Sequence, residues 1–124
     1  MLEYIQNYIN MLLLYLYMAT NSGRSYTYLA RATPTYFHGR KYYGVTFPDI
    51  PKSYFEADNL PELQEFGRDF LALYLANIKI NKKAMPEPKY HRRNDLKRDR
   101  QISITVSQED LETKIKELSR RKHN

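Results

Sequence analysis

The chain has 124 residues, 42% of them apolar, which suffices for one modest core and argues against both two ordinary domains and wholesale disorder. It contains no cysteine, so disulfides, thiolate metal sites and a thiol nucleophile are excluded together, in keeping with a reducing cytoplasm. The net charge of +6 is uneven: residues 1–78 carry six Lys/Arg against seven Asp/Glu, and residues 79–124 carry fourteen against seven. That asymmetry suits an anionic partner for the C-terminal part, against the plainer reading of a solvated tail.

At the start of the chain, Leu2, Ile5, Ile9, Leu12, Leu13 and Leu16 recur at helical spacing, with Glu3, Gln6, Asn7 and Asn10 largely opposite. This predicts an amphipathic helix over residues 1–20. The apolar run Met11 to Ala19 spans nine residues, well short of the roughly 20 that cross a bilayer. Glu3 stands where a signal peptide carries positive charge. A helix packed on protein is preferred over one lying on a membrane. A third reading starts the protein at Met18.

Asn21-Ser22-Gly23 breaks this helix, and strand formers follow from Tyr26 to Phe47. His38-Gly39-Arg40-Lys41 divides them as a hairpin turn, while Pro34 points to an edge or a bulge in the first strand. The rigid corner Phe47-Pro48-Asp49-Ile50-Pro51 precedes a third short strand, Ser53 to Ala57. Asn59 as N-cap and Glu62 three residues on predict a helix to about Asn81, with Leu63, Phe66, Phe70, Tyr74 and Ile78 as its apolar stripe. These elements make a core over residues 26–88. The charged stretch 89–99 reads as a basic linker, and residues 100–124 as a strand (Gln101 to Val106) and a helix capped by Ser107 with Leu111, Ile115 and Leu118 on its apolar edge. The fold class is α+β: an antiparallel sheet of three to four strands with one long helix packed on it.

The order Pro34-Thr35-Tyr36-Phe37, a turn, Tyr43-Gly44-Val45-Thr46-Phe47-Pro48-Asp49-Ile50-Pro51, the acidic turn after Tyr54-Phe55-Glu56-Ala57-Asp58, the long helix and Pro86-Glu87-Pro88 resembles the HicB family of bacterial antitoxins, over roughly residues 32–90. The resemblance implies a partial RNase H-like core. It departs from the family at Lys52-Ser53, where Gly-Cys is usual, at Leu63-Gln64 early in the helix, and in the added N-terminal helix. Family members often end in a complete DNA-binding domain. Here only a strand and a helix follow residue 100, half of such a unit.

The resemblance implies an antitoxin that covers the active face of a small basic HicA-type mRNA-cleaving toxin. An acidic surface would complement such a face, and Asp49, Glu56, Asp58, Glu62 and Glu65, with Tyr54 and Phe55 as aromatic anchors, are the candidate contacts. One alternative is a stand-alone inhibitor of another nuclease, of phage or other origin. A second is a nucleic-acid-binding protein whose Lys89, Arg92, Arg93, Lys97, Arg98 and Arg100 contact phosphates, DNA included. Catalysis is not expected. RNase H chemistry needs converging carboxylates on two metal ions, and Asp49, Glu56 and Asp58 read better as turn and edge residues. No phosphate loop or nucleophile elbow is present, His38, His91 and His123 are scattered, and no metal, cofactor or membrane contact is expected. A homodimer is expected, held by the N-terminal helix, the C-terminal segment or both.

Overall fold

The computed structural model describes residues 5–12 and 24–122. Residues 5–12 are helical (α1), as their periodicity predicts; the remainder of the 1–20 segment lies outside the described residues. Then follow β1 (Ser25–Phe37), β2 (Arg40–Thr46), β3 (Phe55–Ala57), α2 (Leu60–Ile80), β4 (Arg100–Ser107) and α3 (Gln108–Lys122). The strands form one antiparallel sheet in the order β3-β2-β1-β4, so the predicted fourth strand does join the sheet.

β1 is long and serves two neighbours in turn. Its first part pairs with β4, from Ser25↔Ser107 to Ala32↔Arg100, and its second with β2, from Arg31↔Thr46 to Phe37↔Arg40. Pro34 lies beyond the last β4 rung, on an outer edge with no strand to receive an N–H, which is where a sheet tolerates proline. The turn joining β1 to β2 takes positive φ at both His38 (49°) and Gly39 (77°), the hairpin geometry that suits twisted strands.

α2 crosses one face of the sheet. Asn59 caps it, its side chain accepting from Glu62 N–H at 2.8 Å. The buried stripe is Leu63, Gly67, Leu71, Leu75 and Ala76 with Ala72, rotated from the predicted one: Phe66 is 40% exposed, and Phe70, Tyr74 and Ile78 lie at the margin. Gly67 explains the rotation. A Cβ there would stand 3.2 Å from Ile104 Cδ1, so its absence lets the helix lie close against β4. Phe70 stacks instead on Phe47 and Phe55, with centroids 5.8 Å away in each case. α3 packs beside α2 with Leu111 fully buried, and Ser107 Oγ accepts from Asp110 N–H as the cap predicted.

Residues 81–99 carry no regular strand or helix, yet hydrogen bonds hold them to the body. Tyr28 Oη donates to the Pro86 carbonyl at 2.6 Å, and Tyr90 N–H donates to the Asp49 carboxylate, 3.0 Å from each oxygen. The Gln101 amide takes both backbone groups of Arg93, accepting its N–H and donating to its carbonyl, each at 2.7 Å. Arg31 pairs with Asp99. Among the described residues no helix is long and apolar enough to cross a membrane.

Candidate partner-binding surface

Beyond the reach of β4, β1 and β2 continue as a two-stranded ribbon. β3 flanks it only as far as Tyr43↔Ala57. The aromatic residues of this ribbon therefore lack cover: Tyr36 is 69% exposed and Phe37 62%, with Tyr54 at 56% on the approach to β3. The Arg40 guanidinium lies over the Tyr42 ring and Lys41 Nζ over Tyr36, 5.3 and 5.9 Å from the centroids. Tyr54 lies across Gly44, and its hydroxyl donates to Glu56 at 3.1 Å. Partial desolvation where the ring lies on Gly44, together with that bond to Glu56, raises the Tyr54 hydroxyl above its usual pKa, so Tyr54 remains a neutral donor at physiological pH.

The acidic residues gather where β3 turns into α2. Glu56 and Asp58 are exposed, Glu62 reaches back toward Asp58 N–H at 3.5 Å, and Glu65 is exposed one turn on. Arg40 crosses from the ribbon to pair with Asp58, so the patch is partly neutralised at its ribbon end. Two of the expected contacts are elsewhere. Asp49 lies beyond the opposite end of β2, where its carboxylate accepts from Tyr90 N–H. Phe55 is half-buried in the aromatic stack with Phe47 and Phe70 and belongs to the core. With Asp49 apart from Glu56 and Asp58, these three carboxylates do not converge, and among the described residues no three His, Asp or Glu side chains come together as metal ligands would.

No family model matches the sequence. No curated protein matches it. A solved structure does. The chain superimposes with a TM-score of 0.59 on a chain from a toxin-antitoxin complex of Streptococcus pneumoniae, 18% identical, over 70% of this chain and 72% of that one. At that identity the likeness is one of fold.

The six basic residues of the second reading divide into two groups. Lys89 is paired with Glu87, Arg92 donates to the Gln101 carbonyl, and Arg93 forks onto Asp95. Arg93 thereby holds the Asp95 carboxyl below its ordinary pKa. Lys97, Arg98 and Arg100 are exposed, and their side chains make no hydrogen bond or ion pair among the described residues. The residues that sequence reasoning passed over are Tyr36, Phe37 and Tyr42, read as strand formers. Their signal was the turn at His38-Gly39, since side chains next to a hairpin tip have the fewest neighbours.

Proposed function

We propose that this protein is an antitoxin-like binding module, and not an enzyme, whose task is to cover the active face of a small basic HicA-type mRNA-cleaving toxin. The observation that carries the proposal is the fold shared with a chain of a toxin-antitoxin complex. The surface chemistry supports it independently. Glu56, Asp58, Glu62 and Glu65 present negative charge with the exposed ring of Tyr54 bonded to Glu56, and Tyr36 and Phe37 are exposed on the ribbon that Arg40 ties to Asp58. A toxin that grips RNA must itself be positive, and acidic residues around aromatic anchors are the complement of such a face. Arg40 gives the patch a second property: by releasing Asp58 to a partner's Lys or Arg it exchanges one exposed ion pair for another, at little net cost.

Co-expression with a HicA-type toxin, or with the product of a small gene found beside this one, tests the reading. The wild type should restore growth and retain the toxin through purification. Glu56→Lys combined with Glu62→Lys should lose both while keeping the circular dichroism spectrum. Retention of the toxin by that variant would remove the acidic patch from the interface. A neighbouring gene product that is neither toxic nor bound would sink the proposal.

One observation favours nucleic acid as a further ligand: among the described residues the exposed side chains of Lys97, Arg98 and Arg100 have no partner. Three phosphate contacts predict a slope of log K against log salt of about −2 to −3. A flat salt response would dispose of it.

A further inference from the structure

We infer that β4 is a self-complementary edge through which two copies of this chain join their sheets. Among the described residues, strand edges without a neighbouring strand include the outside of β3, the outside of β1 from residue 33 to 37, the outside of β2 from residue 40 to 42, and the outside of β4. The first is three residues long, the second carries Pro34, and the third is short and carries Arg40 and Lys41. All three are ordinary ways of keeping an edge from pairing. β4 has none of these safeguards. It is eight residues long, and from Gln101 to Ser107 it contains no charge, proline or glycine.

Its sequence identifies the occupant. Gln101-Ile102-Ser103-Ile104-Thr105-Val106-Ser107 reads nearly the same in both directions about Ile104. Laid antiparallel against a second copy across a two-fold axis, Ile104 meets its own mate, Ser103 meets Thr105, Ile102 meets Val106 and Gln101 meets Ser107. Every rung then matches in polarity, with aliphatic residues continuing the layer under the helices and polar ones the opposite face. The backbone agrees with this register. The Gln101 carbonyl accepts from the exposed Arg92 side chain at 2.7 Å, so it is turned outward and not toward β1, and Arg92 must release it for this outermost rung to form. Alternate residues share that direction, which leaves the backbone groups of Ser103 and Thr105 facing out, and these are the ones the register brings opposite each other.

The charges at the two ends of β4 fit the same arrangement. The side chains of Arg98, just before the strand, and Arg100, its first residue, are exposed and without partners among the described residues. Glu109 and Asp110, exposed in the first turn of α3, lie just after it. An antiparallel two-fold sets the start of each strand beside the end of the other, so the cations of one copy face the acids of the second. A parallel arrangement would set like charges together.

Sedimentation velocity of the full chain at micromolar concentration tests this, with a species of twice 14.9 kDa expected. Ser103→Pro removes an outward N–H that β1 does not use and should yield the monomer with an unchanged circular dichroism spectrum. Because the chain has no cysteine, the variant carrying Ser103→Cys and Thr105→Cys reports register directly. Its facing Cα atoms would stand about 5.5 Å apart, within disulfide range, so mild oxidation should give a covalent dimer. Thr33→Cys with Thr35→Cys, on the Pro34 edge, should give none. Should Ser103→Pro fail to fold, the cross-link still decides. A wild type that sediments as a monomer overturns the inference, as does a dimer that does not cross-link through positions 103 and 105.

Discussion

The two halves of β1 are built from the same kinds of residue and meet opposite fates. In the first half, Tyr28, Ala30 and Ala32 are 3%, 0% and 0% exposed, enclosed by β4, the Phe47–Ile50 corner and α2. In the second, Tyr36 and Phe37 are more than 60% exposed. Strand propensity does not separate them. The number of neighbouring elements does, because β4 stops at Ala32 and β3 at Tyr43. Aromatic residues in the enclosed half stabilise the fold, whereas those on the ribbon are available to a partner.

Substitutions should therefore have graded effects that fall off from the enclosed half to the ribbon. The largest is expected beneath it at Leu71, which is fully buried against the sheet. Leu71→Ala should cost about 2–5 kcal/mol in urea unfolding. A loss under about 1 kcal/mol would mean the enclosed layer is loosely packed and the contrast overstated.

Ser53 comes next. It is buried at the foot of the corner, where its Oγ accepts from Phe47 N–H at 2.8 Å and lies 2.9 Å from the Ile50 carbonyl. Ser53→Ala leaves those backbone groups without a partner and should cost about 1–3 kcal/mol by thermal unfolding. A neutral result would show that the corner holds its shape through Pro48 and Pro51 alone.

Tyr28→Phe should cost about 1 kcal/mol by removing the bond to the Pro86 carbonyl. It also carries a pH signature. Burial, and then the nearby Asp49 charge, raise the Tyr28 hydroxyl above its ordinary 10.0. A raised pKa means the native state holds the proton more tightly than the unfolded chain. The stability it contributes is complete below pH 10.0 and is lost as pH climbs through the native value. Unfolding followed from pH 8 to 11 should show a steeper alkaline loss in the wild type than in the variant. Superimposable curves would refute the assignment.

The smallest effect belongs to the ribbon. Tyr36→Ser and Phe37→Ser should each change stability by less than about 0.5 kcal/mol. Under the proposed function, the same variants should weaken partner capture. A strongly destabilised Phe37→Ser would place that ring in a contact that its exposure contradicts.

The residue pattern alone determined the element types, because period, caps and turns are local. Helical spacing, the Asn59 and Ser107 caps, the His38-Gly39 turn and the alternation of Ile102, Ile104 and Val106 all depend on residues within a few positions of one another. It also located the acidic cluster, since Glu56, Asp58, Glu62 and Glu65 are close in sequence and the turn between β3 and α2 keeps them close in space. Tertiary structure alone decided what depends on distant neighbours. The face of α2 that is buried turned on Gly67 meeting Ile104, across 37 positions of chain. Asp49 was withdrawn from the acidic surface by Tyr90, and Phe55 was withdrawn into the core by Phe47 and Phe70. Where each strand loses its neighbour, and hence which tyrosines are left exposed, follows from pairings between residues up to 82 positions apart, such as Ser25 and Ser107. Periodicity reports which side of an element is apolar; only the packed molecule determines how much of that side its neighbours cover.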